Sequence, residues 1–464
     1  MTIKNKIPTR IFLAAFAVLL GLSGLKAHSQ TAGNNAVYPA TGTATTGSAS
    51  IIDLVGFNGT GDICAQINSV LSATGFKAGT VVDARGFGAG TTQTCATNPF
   101  SSVTTPSTIL LPAGTIVISA TWVLPDQTQI IGAGRTNTSI TVASGFTPTV
   151  MIQMGSSTIC PSGACTGVGI SDLRVNGQPP TPMNATALDV IGIQNENSGV
   201  GSYVSHVTFH YVETTALDIE TSGANDSGPY TDLAPSAGDN GCSDGCAPQT
   251  TTACVVIKNA QTRGIHGITC TGNAGLSGGV PAGMVAGIYL DGNANTIEDG
   301  HFEGLQNAVV VGDSEPASGD LLLNLSGATG SGTEFNVVLI CNSTNTSPCT
   351  TAGSVSDLAI FQVETYTTLY STIVDMINGT TLGNSSNDDS VGMYVIGEAL
   401  KNGSTTYGHS RFSTATSIPT WDAGGTSPSP TSCTPNGAIF SNTSGSALAT
   451  TIYVCVAGTW TGAL

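Results

Sequence analysis

The chain has 464 residues, of which 59 are glycine, 40% are hydrophobic and only 9% are charged. A mainly helical protein needs Glu, Lys and Arg on its solvent side, so this balance excludes one and favours many tight turns between polar, uncharged faces. The formal net charge of −17 excludes nucleic acid as a partner, and also a strongly anionic polymer held by charge alone.

Residues 1–29 read as a signal peptide. Lys4, Lys6 and Arg10 form a basic start, Ile11 to Leu25 (IFLAAFAVLLGLSGL) is an apolar run, and Ala27-His28-Ser29 offers small residues for cleavage before Gln30. The run is short for a spanning helix, and no later run is long enough, so the mature chain is expected to be secreted or surface-exposed with no transmembrane segment. Cleavage leaves eight basic and 29 acidic residues, a net charge of −21.

Residues 30–52, rich in Ala, Thr, Gly and Ser, read as a flexible leader. Asp62 to Ala73 (DICAQINSVLSA) is the one convincing helix. Ile63, Ile67, Val70 and Leu71 share a face, Asp62 can cap the start and Gly75 the end. Short strands follow in GTVVDARGF (79–87), STILLPAGTIVIS (107–119), WVLPDQTQIIGAG (122–134) and TSITVA (138–143). A six-residue pattern then recurs: ISDLRV (170–175), VSHVTF (204–209), IKNAQT (257–262), IEDGHF (297–302) and VSDLAI (355–360). Its third residue is Asp, His or Asn. TALDV (186–190) echoes TALDI (215–219), and 222–252 reads as an inserted loop.

An isolated three-strand coil cannot bury its apolar residues, but stacked coils can, at a strand spacing of roughly 4.8 Å. A β-sandwich would instead prefer two-residue Asn-Gly or Asp-Gly hairpins, which the hexad pattern does not need. The expected fold is therefore an all-β solenoid over residues 53–420, with a linker at 421–432. A small β-hairpin module, GAIF against TIYVCV, is expected at 433–464, with Trp460 at its edge.

The run from helix 62–73 through GTVVDARGF, LLPAGTIVIS and IIGAGRTNTSITV resembles the N-terminal cap and first coils of right-handed parallel β-helix proteins of the pectate-lyase-like and polygalacturonase-like superfamily. GIYLDGNANTIEDGHFEGLQNAVVVG is similar to an inner coil of that superfamily. The resemblance spans about residues 53 to 410 and implies a single-stranded parallel β-helix acting on polysaccharide. It also implies that a trimer is open, although nothing in the chain demands one.

The chain has 12 cysteines, an even number in an exported protein. They fall into close couples: Cys64/Cys95, Cys160/Cys165, Cys242/Cys246, Cys254/Cys270, Cys341/Cys349 and Cys433/Cys455. Disulfides are the natural reading, with connectivity open. A thiolate metal site around Cys242, Cys246, Cys254 and Cys270 is the rival.

The superfamily's catalytic patterns are incomplete. Asp388-Asp389 supplies an Asp pair and His266 sits in GIHGI, but the Asn-Thr-Asp and Arg-Ile-Lys elements of a polygalacturonase-like hydrolase are absent. For a lyase, Lys258 and Arg263 are the cations close on a coil. An acidic ladder is the stronger candidate: Asp189 in TALDV, Asp218 in TALDI and Asp291 in IYLDG, one above the other and roughly 5 Å apart. Carboxylates that close must share a proton, hold a cation such as Ca²⁺ or splay apart, and a pair at that spacing suits glycoside hydrolysis. The opposing reading makes them solvated strand ends. His206 and His301 are expected to face solvent. Tyr203, Tyr211 and Tyr289, with Tyr366 and Tyr370, form a candidate sugar-stacking stripe. Two functions follow: a polysaccharide hydrolase or lyase, or a non-catalytic surface or matrix protein that binds glycans.

Overall fold

The structure is a computed structural model that describes residues 51–56, 61–180, 188–212, 214–220, 222–236, 253–271, 286–328, 336–341, 349, 355–356, 358–365, 371–375, 380–382, 389–396, 399–402, 405–408, 421–424, 439–442, 452–456 and 459–462. The expected signal peptide, leader residues 30–50 and the Cys242/Cys246 couple lie outside these residues, as do Asp388 and Cys433. The last two residues of the expected leader, Ile51 and Ile52, instead open the strand Ile51–Asp53, which pairs in parallel with Thr80–Asp83.

The helix forms where the apolar spacing places it, at Ile63–Leu71. The Asp62 carboxylate accepts from the Ala65 amide at 2.9 Å, satisfying one of the free donors of the first turn. Its buried face (Ile63, Ile67, Val70 and Leu71) packs over the first coil, and the Cys64–Cys95 disulfide ties it to the strand Thr91–Cys95. No helix among the described residues is long and apolar enough to cross a membrane.

Beyond the helix the chain alternates between two sheets. Tyr203–His210, Tyr230–Ser236, Ile265–Thr271 and Thr296–Glu303 belong to a 15-stranded sheet, here the kinked sheet. Between them, Thr215–Ile219, Ala253–Lys258, Ala286–Asp291 and Asn307–Val311 belong to a 10-stranded second sheet. Neighbours pair in parallel along both sheets until the last strand of each, Asp389–Ile396 and Thr380–Leu382, which turns antiparallel. A chain that visits each sheet once per turn, always in the same direction, is a coil, and the fold is an all-β right-handed parallel β-helix.

The core follows from strict register. Val82, Ile109, Ile130, Ile170, Val204, Tyr230, Ile265, Ile297, Leu322 and Ile360 face one another in succession along the kinked sheet. All are fully buried. Trp122, Ile152, Ile193, Leu217, Val255, Ile288, Val309, Val338 and Ile373 make the corresponding interior row of the second sheet. Tyr230 is the polar exception: its hydroxyl donates to Ser227 Oγ at 2.8 Å and accepts from Asn195 Nδ2 at 2.8 Å. Burial still pushes the phenol up to about 12.

The long strands of the first sheet bend at one residue. Asp172, His206, Asp232, Gly267, Asp299, Asn324 and Gln362 stand level with one another on successive coils, and all have φ between 48° and 72°. Asp, Asn, His and Gly tolerate this left-handed backbone far better than most residues. The kink turns the apolar residues before and after it, such as Ile170 and Leu173, both inward, and leaves the corner side chain outside. That is the physical content of the hexad's third position.

Three of the five hexads sit on this row. IKNAQT does not: Asn259 follows the strand Ala253–Lys258 of the second sheet. VSDLAI does not either, since Asp357 lies outside the described residues and the corner of that coil is Gln362. The supposed inserted loop 222–252 contains a full strand, Tyr230–Ser236, whose corner is Asp232. At the C-terminal end, Ile439–Asn442 pairs antiparallel with Ile452–Val456, as the GAIF pattern implies. Trp421–Gly424, expected to be linker, adds a strand to that sheet by pairing in parallel with Ile439–Asn442.

Four disulfides close among the described residues: Cys64–Cys95, Cys160–Cys165, Cys254–Cys270 and Cys341–Cys349. Cys254 and Cys270 are thereby excluded as metal-binding thiolates. The expected Cys433/Cys455 link is not among the four. The backbone of Cys455 lies on the strand Ile452–Val456, level with Trp460 in the antiparallel register, but Cys433 falls outside the described residues.

Candidate functional site

The outward side of the kinked sheet concentrates the polar chemistry. Residues i and i+2 of a strand share a face, and the corner adds one more outward position per coil. Ser171, Ser205 and Thr231 make one outer row, and Arg174, Thr208, Ala234, Thr269 and His301 make another. Between them runs the corner ridge.

On the ridge the imidazole of His206 lies between two carboxylates. Its Nδ1 is 3.9 Å from Asp172 Oδ1, and its Nε2 is 3.8 Å from Asp232 Oδ2. Both distances allow charge attraction but exceed a direct hydrogen bond. Arg135 reaches in from the turn after the strand Thr128–Ile131 and donates from Nη1 to Asp232 Oδ1 at 2.8 Å. The four side chains are 40 to 56% exposed. Gly132 makes the approach of the Arg135 turn possible, since a Cβ there would meet the Asp172 carbonyl oxygen at 2.1 Å.

Tyr203 closes one side of the cluster. Its ring lies over Gly169, where a Cβ would meet it at 2.6 Å, and its hydroxyl sits 3.4 Å from Gln129 Oε1. Burial first, and the charge of Asp172 second, push the phenol up. Farther along the same face His266 Nδ1 is 2.9 Å from Glu298 Oε2, and Asn324 Nδ2 donates to Asp299 Oδ1 at 2.6 Å.

The expected acidic ladder does not form. Asp218 stands opposite Gln194 and Val256, while Asp291 stands opposite Lys258. Asp189 lies outside the strands, just after the Leu188–Val212 bridge, where the Thr214 hydroxyl donates to it. TALDV and TALDI match in letters but not in register, so Gln194 occupies the place assigned to Asp189.

Asp218 and Asp291 are also buried, at 2% and 0% exposure. Asp291 accepts from the amides of Asp313 and Ser314 and from the Ser314 hydroxyl, which makes it a turn-holding group, and burial raises it to about 6. Asp218 Oδ2 accepts from Gln194 Nε2 at 2.9 Å, while its Oδ1 is buried with no partner among the described residues. Burial, then the charge of Glu220, raises this carboxyl to about 7, although Lys258 stands nearby and pairs with Glu220 at 3.4 Å.

The tyrosine stripe does not form either. Tyr203 opens the strand Tyr203–His210 and Tyr211 follows its end, whereas Tyr289 is on the second sheet and only 4% exposed. Tyr289 packs with Val256, Val310 and Leu339 in a separate apolar layer outside that sheet, and burial raises its phenol. Tyr366 and Tyr370 lie outside the described residues. His206 and His301 do face solvent, as expected. Among the described residues no group of three His, Cys, Asp or Glu side chains could hold a metal ion. This gives the Ca²⁺ reading no ligand set there. Asp232 and Arg135 escaped sequence reasoning because the segment around Pro235 looks like loop, and because Arg135 is 97 residues from its partner.

No protein-family model matches the chain, and no curated protein does. Among solved structures it is similar to the ORF18 protein of Geobacillus virus E2, at 12% identity and a TM-score of 0.32, covering 89% of this chain and 86% of that one. It is similar to the pectin methylesterase PemA from Erwinia chrysanthemi at 9% identity and a TM-score of 0.31, covering 60% and 93%. A third is the A-module of the mannuronan C-5 epimerase AlgE4 from Azotobacter vinelandii, at 14% identity and a TM-score of 0.27, covering 67% and 95%.

Proposed function

We propose that this is an exported protein that interacts with extracellular polysaccharide through the outer face of its kinked sheet, with Asp172, His206 and Asp232 as an acid–base centre. The observation that carries the reading is an exposed imidazole held between two carboxylates on successive coils. Such a group can give a proton to a leaving oxygen and take one from a water or a sugar carbon. The part-exposed hydroxyls of Ser205, Thr208 and Thr231 beside it suit a polyhydroxyl ligand, and the net charge of −17 disfavours a polyanion held by charge. Four disulfides support an oxidising, extracellular compartment.

Asp172 and Asp232 are two strand spacings apart, about 9.6 Å at the backbone. The His206 imidazole fills the gap between the two carboxylates, so the ring, flanked by both, and not a carboxylate pair with a water between them, supplies the acid and base. The second reading, a non-catalytic glycan-binding surface, is favoured by the Arg135–Asp232 ion pair, which occupies one of the two carboxylates.

Both readings meet in one experiment. Reducing-end release and absorbance at 235 nm are followed on a panel of plant and microbial polysaccharides, with and without Ca²⁺, for the wild type, His206→Gln and Asp172→Asn. Product that vanishes in both variants supports the acid–base centre, and new absorbance identifies a lyase. Glycan retention without product supports the binding surface. Neither product nor retention overturns the proposal.

A further inference from the structure

The same face carries a second constellation about four coils away. His301 and Glu303 are at i and i+2 of the strand Thr296–Glu303, so both point outward. Ser326, on the strand Leu321–Ala328, stands directly opposite His301 in the parallel register. Ser326 Oγ lies 3.1 Å from His301 Nδ1, and His301 Nε2 lies 2.9 Å from Glu303 Oε1. The Ser326 hydroxyl is also 3.4 Å from the Gly300 carbonyl oxygen, a longer contact.

We propose that Ser326, His301 and Glu303 form an acyl-hydrolase centre acting on O-acyl esters. The tautomer follows from the partners. A carboxylate only accepts, so the proton of the neutral ring sits on Nε2, facing Glu303. Nδ1 is then a bare lone pair aimed at the Ser326 hydroxyl, the arrangement a nucleophilic serine requires. In the first half-reaction Ser326 Oγ bonds to the ester carbonyl carbon and its proton passes to Nδ1. The carbon–alkoxy bond breaks and the alcohol leaves with that proton. Water then attacks the acyl-serine, gives a proton to Nδ1 that returns to Oγ, and the carboxylic acid is released. The strand amides around Ser326 are committed to pairing with Leu358–Thr365, so stabilisation of the oxyanion is weaker than in a dedicated peptidase, and esters rather than amides are the substrates. That the ester is borne by a glycan rests on the reading above; the acyl transfer itself does not.

The test uses the full chain with p-nitrophenyl acetate and, separately, a fluorophosphonate probe followed by peptide mass mapping. The wild type is expected to carry the adduct on Ser326 and to hydrolyse the ester about 100-fold or more faster than Ser326→Ala or His301→Gln. Glu303→Gln is expected to keep the adduct but react more slowly. Equal hydrolysis by the wild type and Ser326→Ala, or an adduct absent from Ser326, overturns the assignment, and the labelling result does not depend on how any variant folds. Loss of glycan retention in His206→Gln with ester hydrolysis intact separates the two sites.

Discussion

Replacing Asp218 with Asn is expected to stabilise the protein in a pH-dependent way. The carboxyl is raised from 3.8 to about 7, with burial as the main cause. In the unfolded chain it titrates near 3.8. Between these values the folded protein holds a proton that the unfolded chain has released, so stability falls as pH rises, by about 1.4 kcal/mol per pH unit. Below the unfolded value the penalty is absent, and above about 7 it is complete, at about 4 kcal/mol. The introduced asparagine resembles the protonated carboxyl, and its side-chain oxygen can still accept from Gln194 Nε2, which donates to the native carboxyl at 2.9 Å.

The assay is urea unfolding of the wild type and Asp218→Asn at pH 4, 5.5, 7 and 8, followed by far-UV circular dichroism. The two are expected to be nearly equal at pH 4 and to diverge until the variant is a few kcal/mol the more stable at pH 8. Asp291 and Asp320 are raised in the same direction, to about 6 and about 7, so both proteins lose stability with pH and only the difference isolates Asp218. A difference constant from pH 4 to 8 would refute the reasoning, because the Asp218 carboxyl would then ionise alike in both states.

Tyr230→Phe removes the partner of Asn195 and Ser227 in a fully buried place, which is expected to cost about 1–3 kcal/mol in the same unfolding assay. Gly169→Ala places a methyl 2.6 Å from the Tyr203 ring; overpacking of this kind costs about 1–3 kcal/mol, and displacement of the ring shows as increased accessibility of Tyr203 to tetranitromethane. Arg135→Ala breaks a half-exposed ion pair, so stability is expected to change by less than about 1 kcal/mol, while glycan retention falls. Removing Cys254 and Cys270 together opens a link of sequence separation 16, expected to lower stability by about 3 kcal/mol in the chain-entropy account.

The coil was legible because its requirements are local. Short apolar runs ending at Gly, Asn and Asp, and an amphipathic helix capped by Asp62, are visible without knowing which coil rests on which. The six-residue pattern carried a physical rule that its letters only half express. Its third position is a left-handed corner, so it accepts Asp, Asn, His and Gly, and at Gln362 even a residue outside that set. Gly267 and Gln362 therefore escape a pattern written as Asp, His or Asn. Asp232 escapes for another reason: YTDLAP keeps the corner, but its proline and flanking acidic, glycine-rich segment resemble an insertion.

Sites on a β-helix depend on register, and register depends on the length of every turn before the strand. TALDV and TALDI show how similar letters mislead, since Leu188 bridges to Val212 and Gln194 comes to face Asp218. The corner row supplies the missing ruler. Asp299 and Asn324 are level corners 25 residues apart, and His301 and Ser326 carry the same offset because both lie two places beyond a corner. A reading that first aligned the chain on its left-handed residues would have set Ser326 beside His301 and Asp172 beside His206. Chemistry on this fold is thus encoded in offsets from the corners, and a motif search along one strand cannot find side chains that meet only across two coils.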